Sequence, residues 1–395
     1  MKSLQSQIIT TSFSKKQRIL LLLIFCMLFV SEPYVFSLLL GLDFKLLWMV
    51  FAFIFVLLTY NGWSVLPKPF IISIFVQILV WGFYYFIHHD QSYITRIIFI
   101  IVSYFLLSGL ETNIGLNNFV HTNNKLLSIQ SFLGAIAFIL VFVGVLHPFF
   151  SFIQQDTRTA YFLGLTCTNV IEANIIRISG FFDEPGALAQ WGMYALVLNR
   201  LFIKNKHVEY ILVGTLIFTL SLAYYIQLIL YFILFYSKNY RTTFPIVIIV
   251  IISLLFVSYD VNSYLYEKTI GRLGLFSQVG MYATTRGELI DNAKQYFLDN
   301  PIWGVGASNI LKLDVYLADN PFETLATDGI VGTFAIYFPL LIVVSRKFNR
   351  YIISGVIILV AGYMQRPFHI NIMHFLMMYT FCILALRYSS ITQKK

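Results

Sequence analysis

The stretch Arg177–Trp191, RISGFFDEPGALAQW, joins a polar segment, Thr157–Asn174, to a long apolar run. It sets a cation, an acidic pair, a proline and several aromatics where a hydrophobic chain meets water. Only 11% of the 395 residues are charged and 58% are hydrophobic, with 39 Phe and 25 Tyr. Soluble domains are usually about 45–50% apolar and about 25% charged, so this chain reads as an integral membrane protein. In such a chain a cluster of charge at a span end is a candidate site by default.

Working outward from that stretch, a bilayer span needs about 20 apolar residues. Suitable runs lie near 19–41, 44–60, 69–87, 94–110, 126–147, 186–203, 208–221, 223–237, 243–259, 325–345, 351–365 and 370–387. The expected fold is an all-α bundle of about 12 transmembrane helices. Its order is helices 1–5 over 1–147, an outer loop over 148–185, helices 6–9 over 186–259, a second outer loop over 260–324, and helices 10–12 over 325–395. The short pair 208–221 and 223–237 turns over at Ser221–Tyr224, as a shallow or re-entrant hairpin would. Lys15, Lys16 and Arg18 precede Ile19–Val30 as in a signal peptide. With no small-x-small cleavage site after it, the run is expected to stay as the first span. Glu32-Pro33 is expected to kink that span, and Arg96 to snorkel to the outer interface.

Most of the 27 Lys and Arg fall in short segments on one side if both termini are cytoplasmic. Most of the 18 acidic residues fall on the other side, so the +9 formal charge is a topology signal and gives nucleic-acid binding no support. Cys26, Cys167 and Cys382 have neither disulfide nor metal-ligand spacing. His88-His89 and the pair His369 and His374 give no metal site, and no cofactor is expected. The absence of a phosphate-binding glycine loop argues against ATP-driven transport. Loops as long as 148–185 and 260–324 are usually functional or disordered, and their aromatic content argues for function.

Three constellations could carry chemistry on the outer face. In the first, Asp183 or Glu184 can cap the sixth span, with Pro185 in its first turn. Arg177 beside them suits bidentate phosphate recognition, or equally an ion pair with Asp183 or Glu184. In the second, Thr285-Arg-Gly-Glu288 has capping-box spacing, Ile290, Ala293 and Phe297 share a helical face, and Asn300-Pro301 ends the helix. Arg286 in that first turn opposes the helix dipole unless an anion such as a diphosphate binds there; an exposed, solvated arginine is the plain alternative. In the third, Asp319, Asn320 and Glu323 stand at the mouth of the tenth span, followed by Gly329 and Gly332 as small contact residues. Glu323 can be an acid, a base or a sugar ligand, or simply a first-turn acid. Tyr259, Tyr264, Tyr266, Tyr282 and Trp303 can stack on sugars, or belong to an interfacial aromatic belt.

These motifs resemble those of Wzy-type O-antigen or capsule polymerases, in the O-antigen ligase/polymerase superfamily. The resemblance rests on Arg177-x-Ser179-Gly180-Phe-x-x-Glu184-Pro185, on Arg286 followed by Asn300-Pro301-x-x-Gly304-x-Gly306, on Asn320, and on Leu325-x-x-x-Gly329-x-x-Gly332. It covers the carboxy-terminal half; the first half matches in hydropathy alone. It implies a GT-C-like membrane glycosyltransferase that needs no metal, in the bacterial inner membrane with its site facing the periplasm. The substrate would be an undecaprenyl-diphosphate-linked oligosaccharide in membrane lipid, and a chain-length co-polymerase is an implied partner. Arg177 and Arg286 would hold the diphosphate, and Asn320, Tyr282 and Trp303 the glycan. Glu184 or Glu323 would deprotonate the acceptor hydroxyl. Ligases of the superfamily carry His before the Asn of the third motif. Asp319 stands there instead, which favours polymerisation and makes Asp319 a further candidate base. The rivals are a ligase and, from another class, a flippase, which should line a cavity with charges deep in several spans.

Overall fold

The computed structural model describes residues 13–31, 34–36, 44–60, 66–153, 159–172, 174–237, 285–312, 317, 320–366 and 371–392. In chain order the helices are α1 (Lys15–Phe29), α2 (Phe44–Thr59), α3 (Lys68–His88), α4 (Gln91–Asn113), α5 (Leu116–Phe142), α6 (Pro185–Leu198), α7 (Lys206–Thr215), α8 (Leu222–Tyr236), α9 (Thr285–Asp299), α10 (Ala307–Lys312), α11 (Glu323–Arg346), α12 (Arg350–Gln365) and α13 (Ile372–Thr392). Among the described residues, α3, α4, α5 and α11 are long and apolar enough to cross a membrane, with several shorter apolar helices beside them. The expected span 243–259 lies outside the described residues.

Two expectations need correction at the start of the chain. The span 19–41 is not one helix: α1 stops at Phe29, before Glu32-Pro33. A residue ahead of proline is pushed out of helical geometry, so an end there is locally favoured over a kink. Beyond it, Val35 N–H donates to the Phe181 carbonyl at 2.9 Å, and Tyr34 stacks on Phe182 with centroids 4.3 Å apart. Arg96 does not snorkel. It is 1% exposed and its Nη1 lies 2.8 Å from Oδ2 of Asp328, itself 0% exposed.

The segment 148–185, expected as an outer loop, also departs from an all-helical reading. It holds β1 (Phe150–Ile153), β2 (Thr159–Phe162) and β3 (Cys167–Thr168) in an antiparallel sheet, and a small pair, β4 (Ile171–Glu172) with β5 (Ile175–Ile176). Helix α6 is the hub. Its residues are buried on every side except at Gly186, and it packs against α5, α7, α8 and α12. A helix apolar all round belongs in the interior, and α6 has no face left for lipid.

The two arms after α6 are short. Helix α7 and the 3-10 turn Leu216–Thr219 that follows extend about 23 Å together, against about 30 Å of hydrocarbon. Leu220 then turns back in a left-handed conformation, φ 46°, into α8. The chain thus turns back between two short helices, as the sequence suggests.

Arg96 with Asp328 ties the two halves of the chain together through a buried ion pair. The guanidinium lies 4.6 Å from the Trp81 ring centroid and 4.9 Å from that of Tyr93. Tyr93 donates to Asp328 Oδ1 at 3.1 Å, and Tyr84 donates to the Asp328 backbone carbonyl. Removing one partner of a buried pair typically costs about 3–5 kcal/mol, because the other is left uncompensated. Arg96→Met is therefore expected to lower the melting temperature of the detergent-purified protein sharply. Arg96→Met with Asp328→Leu should recover most of the loss. A double variant no more stable than the single one would refute this reading.

Candidate functional site

The Arg177 segment is held as an extended strap across the tip of the short hairpin. Ile178 N–H donates to Phe218 O at 3.2 Å, and Arg177 Nε donates to Thr219 O at 3.2 Å. The strap then bends at Gly180, φ 59°. β3 pins the bend: Cys167 N–H donates to Gly180 O at 2.6 Å and Ser179 N–H to Cys167 O at 3.0 Å. The Thr166 hydroxyl accepts from Gly180 N–H at 2.8 Å. Arg177 is only 8% exposed. The arm beneath it, about 23 Å long, is about 7 Å shorter than the hydrocarbon thickness of a bilayer. Burial also pushes the neighbouring Cys167 thiol up to about 12, which leaves it no role as a nucleophile.

Glu184 occupies the N-cap position of α6 in extended geometry, with Pro185 at the first helical position, as the sequence suggests. Its side chain makes no cap hydrogen bond. It pairs instead with Arg366, the residue that ends α12. Both are largely buried, and Gly186 makes room: a Cβ there would lie 2.9 Å from Arg366 Cζ. Gln190, one turn into α6, donates to the Tyr194 hydroxyl at 2.9 Å and to the Arg366 carbonyl at 3.4 Å. Sequence reasoning passed over Arg366. The available signal was a cation beside Pro367 at the mouth of a span, the same kind of placement that marks Arg177.

The other motifs assemble around a break in α11. At Gly329 the backbone leaves helical geometry, φ 63° and ψ −168°. An unbroken helix would bond Ile330 N–H to Ala326 O and Val331 N–H to Thr327 O. Here all four groups go to the segment Pro301–Gly306. Val305 N–H donates to Ala326 O at 2.9 Å and Gly306 N–H to Thr327 O at 2.9 Å. Ile330 N–H donates to Pro301 O at 2.9 Å and Val331 N–H to Ile302 O at 3.2 Å. Gly304 and Gly329 meet backbone to backbone, and a Cβ on either would fall well inside van der Waals distance of the other segment. The Asn300-Pro301-x-x-Gly304-x-Gly306 and Gly329-x-x-Gly332 patterns are thus two halves of one joint, with Gly332 set against the Tyr84 ring.

Several expected site residues serve this joint. Helix α9 ends at Asp299, directly before Asn300-Pro301. The Asn320 side chain accepts from Phe322 N–H at 2.8 Å and donates to the Leu317 carbonyl, so its amide fixes the turn into α11. Glu323 is the first residue of α11 and half-buried. Trp303 packs edge-on against Phe83, centroids 5.2 Å apart, with its ring partly exposed, and its carbonyl lies 3.3 Å from His88 Nε2. Asp90 caps α4 through Ser92 N–H at 2.9 Å and holds Ser308 N–H at 2.7 Å. Burial raises its affinity for a proton, yet these donors outweigh that and keep it below the ordinary 3.8. Tyr282, Asp319, Tyr259, Tyr264, Tyr266 and the side chain of Arg286 lie outside the described residues, although Arg286 falls at the start of α9.

The structure therefore gathers the expected residues into two groups on different elements. Glu184 stands at the entry to α6, where it meets Arg366, and Arg177 lies on the strap before it; Trp303 belongs to the segment docked at the break in α11, and Asn320 and Glu323 to the start of that helix. Among the described residues, no group of three or more His, Cys, Asp or Glu stands together as metal ligands would. Comparison with protein-family models, with curated proteins and with solved structures found no match.

The joint makes two expectations testable. Gly329→Ala should undock Pro301–Gly306 and speed limited proteolysis across 299–312, whereas Gly82→Ala, with open space around it, should not. Equal protection in both variants would count against the joint. Because Asp90 is more acidic when folded, its stabilisation holds above about pH 4 and fades as pH falls through its folded value. Asp90→Ala should cost about 1–2 kcal/mol at neutral pH, and that difference from the parent protein should shrink on acidification.

Proposed function

We propose that this chain polymerises lipid-linked oligosaccharide repeats. It would transfer the growing glycan from undecaprenyl diphosphate to the non-reducing end of another carrier-linked repeat, as a Wzy-type enzyme of the bacterial inner membrane does. The observation that carries the proposal is two buried guanidinium groups, Arg366 paired with Glu184 at the start of α6 and Arg177 on the strap that leads into that helix. A glycosyl diphosphate already bears its leaving group. The protein then needs chiefly to position two sugars and to stabilise charge developing on the departing diphosphate. Arg177 and Arg286 are assigned to that diphosphate, and Arg366 is added to them. Glu184 holds Arg366, so an arriving phosphate competes with an internal carboxylate for it. Glu184, Asp319 and Glu323 are the candidate bases for the acceptor hydroxyl. Trp303 supplies a partly exposed ring for glycan stacking, with Tyr282 and Asn320 as further glycan contacts. About twelve spans with the site facing the periplasm complete the reading.

A flippase is the second reading, since Arg96 and Asp328 are charges within the bundle. Their enclosure by Trp81, Tyr84 and Tyr93 favours a structural role.

The test is the surface polysaccharide of a strain lacking this gene, complemented with the parent protein, Arg177→Ala, Arg366→Ala or Glu184→Gln, with membrane abundance measured alongside. Loss of the ladder with single repeats retained on the acceptor lipid is the expected null phenotype. A charged hydrogen bond contributes about 1.5–3 kcal/mol, so each arginine variant should lose about 10- to 150-fold in polymer at normal abundance. Polymer that accumulates on its carrier but fails to reach its acceptor would identify a ligase. Build-up of repeats on the cytoplasmic side would identify a flippase.

A further inference from the structure

We infer that the β1–β2 hairpin is a membrane-seated anchor whose apolar residues contact lipid acyl chains at the interface, independently of the activity proposed above. The argument begins with α5. Its 27 residues extend about 40 Å, but the first ten include Asn117, Asn118, His121, Asn123, Asn124 and Lys125, which suit water or a polar interior. The apolar stretch begins at Leu126, and about 20 residues of helix cross the hydrocarbon. The chain therefore leaves the hydrocarbon at about residue 145, where Gly144 turns it with φ 75°. The hairpin starts only a few residues later.

Exposure agrees with that placement. Ile129, Phe132, Ile139 and Phe142 form the exposed apolar stripe of α5, and Val143 continues it. Val145, 70% exposed, Phe149, 70%, and Ile153, 74%, carry it onto the hairpin. The hairpin carries large apolar residues on both faces, although Ser151 and Thr159 share the second with Phe149, Ile153 and Tyr161. Phe150 and Phe162, paired across the strands with ring centroids 5.0 Å apart, lie on one side with Phe152. Phe149 and Ile153 alternate to the other. A hairpin with a single apolar face would pack against protein and turn its polar face to water; this one has no clean water face.

Its depth is bounded from below. In the sheet order β1-β2-β3, the outer edge of β1 has no partner strand among the described residues. Free backbone donors and acceptors cannot enter hydrocarbon cheaply, so β1 belongs at the boundary of headgroups and acyl chains. β2 passes the restraint to β3, and β3 hydrogen-bonds to Ser179 and Gly180. The height of the Arg177 strap is thereby referred to the lipid surface.

The test uses the full chain in phosphatidylcholine vesicles with Cys26→Ala, leaving only buried native thiols. Nitroxide is attached at Phe149→Cys or Ile153→Cys, with Phe132→Cys as the deep reference and Asp299→Cys as the aqueous one. Molecular oxygen, which partitions into lipid, should relax both hairpin labels several-fold more than a water-soluble nickel chelate, at depths shallower than Phe132. Dominant relaxation by nickel at both sites would place the hairpin in water and overturn the inference. Exclusion of both reagents would overturn it too, in favour of a protein cover. Dipolar broadening between identical labels would identify that cover as a second copy.

Discussion

A helix broken inside a membrane protein must find partners for the backbone groups it releases, because lipid supplies none. At Gly329 that demand is met by exchange: two intrahelical bonds are replaced by four to Pro301–Gly306. The exchange works only at backbone contact distance, which is why glycine stands on both sides, at 304 and 329. It also explains the position of Asp328. A carboxylate one residue before the break is carried toward α4, where it pairs with Arg96, whose guanidinium lies against the Trp81 and Tyr93 rings. The pair ties α11 to α3 and α4, and Asp90 holds Ser308 just beyond the inserted segment. A late loop is thus locked onto the amino-terminal half by two acids, neither of which needs to touch a substrate.

Around α6 a second constraint operates. A helix with no lipid face must be surrounded, and the short α7–α8 hairpin is one of its walls. The strap carrying Arg177 lies across the tip of that hairpin, bonded to Phe218 and Thr219. The guanidinium donates to Thr219 O, a carbonyl near the left-handed Leu220 turn. Arg177 is therefore placed by the architecture of its surroundings as much as by its own segment.

The legible part of the sequence was what hydropathy and punctuation encode. The runs near 69–87, 94–110 and 325–345 correspond to α3, α4 and α11, and Asn300-Pro301 ends α9. The turn between two short arms was also readable, since both runs are too short to span. What escaped was pairing across distance. Arg96 looked like a snorkelling residue because its partner lies 232 positions away. Gly329 and Gly332 were legible as small contact residues, but sequence spacing cannot show which backbone meets them. Glu184 read as a helix cap, and it does occupy that position, but its carboxylate turns to Arg366, which no local pattern connects to it. The sheet in 148–185 was missed because its strands are four residues or fewer, shorter than an alternation of polar and apolar residues can signal.

The distribution of charge bears on how an anionic lipid would be recognised. On the expected topology, the segments facing outward are net negative, so long-range steering would not favour a diphosphate. At physiological salt, screening over about 8 Å confines electrostatics to close contacts in any case. Affinity must then come from cations at short range and low local dielectric. Arg177 and Arg366 meet that requirement through burial, and surface lysines do not. Burial exacts a condition in return, because an enclosed guanidinium must be compensated when no ligand is bound. Glu184 supplies that compensation for Arg366. A site built this way exchanges one anion for another, so its selectivity rests on whether a phosphate satisfies the guanidinium better than a carboxylate already in place.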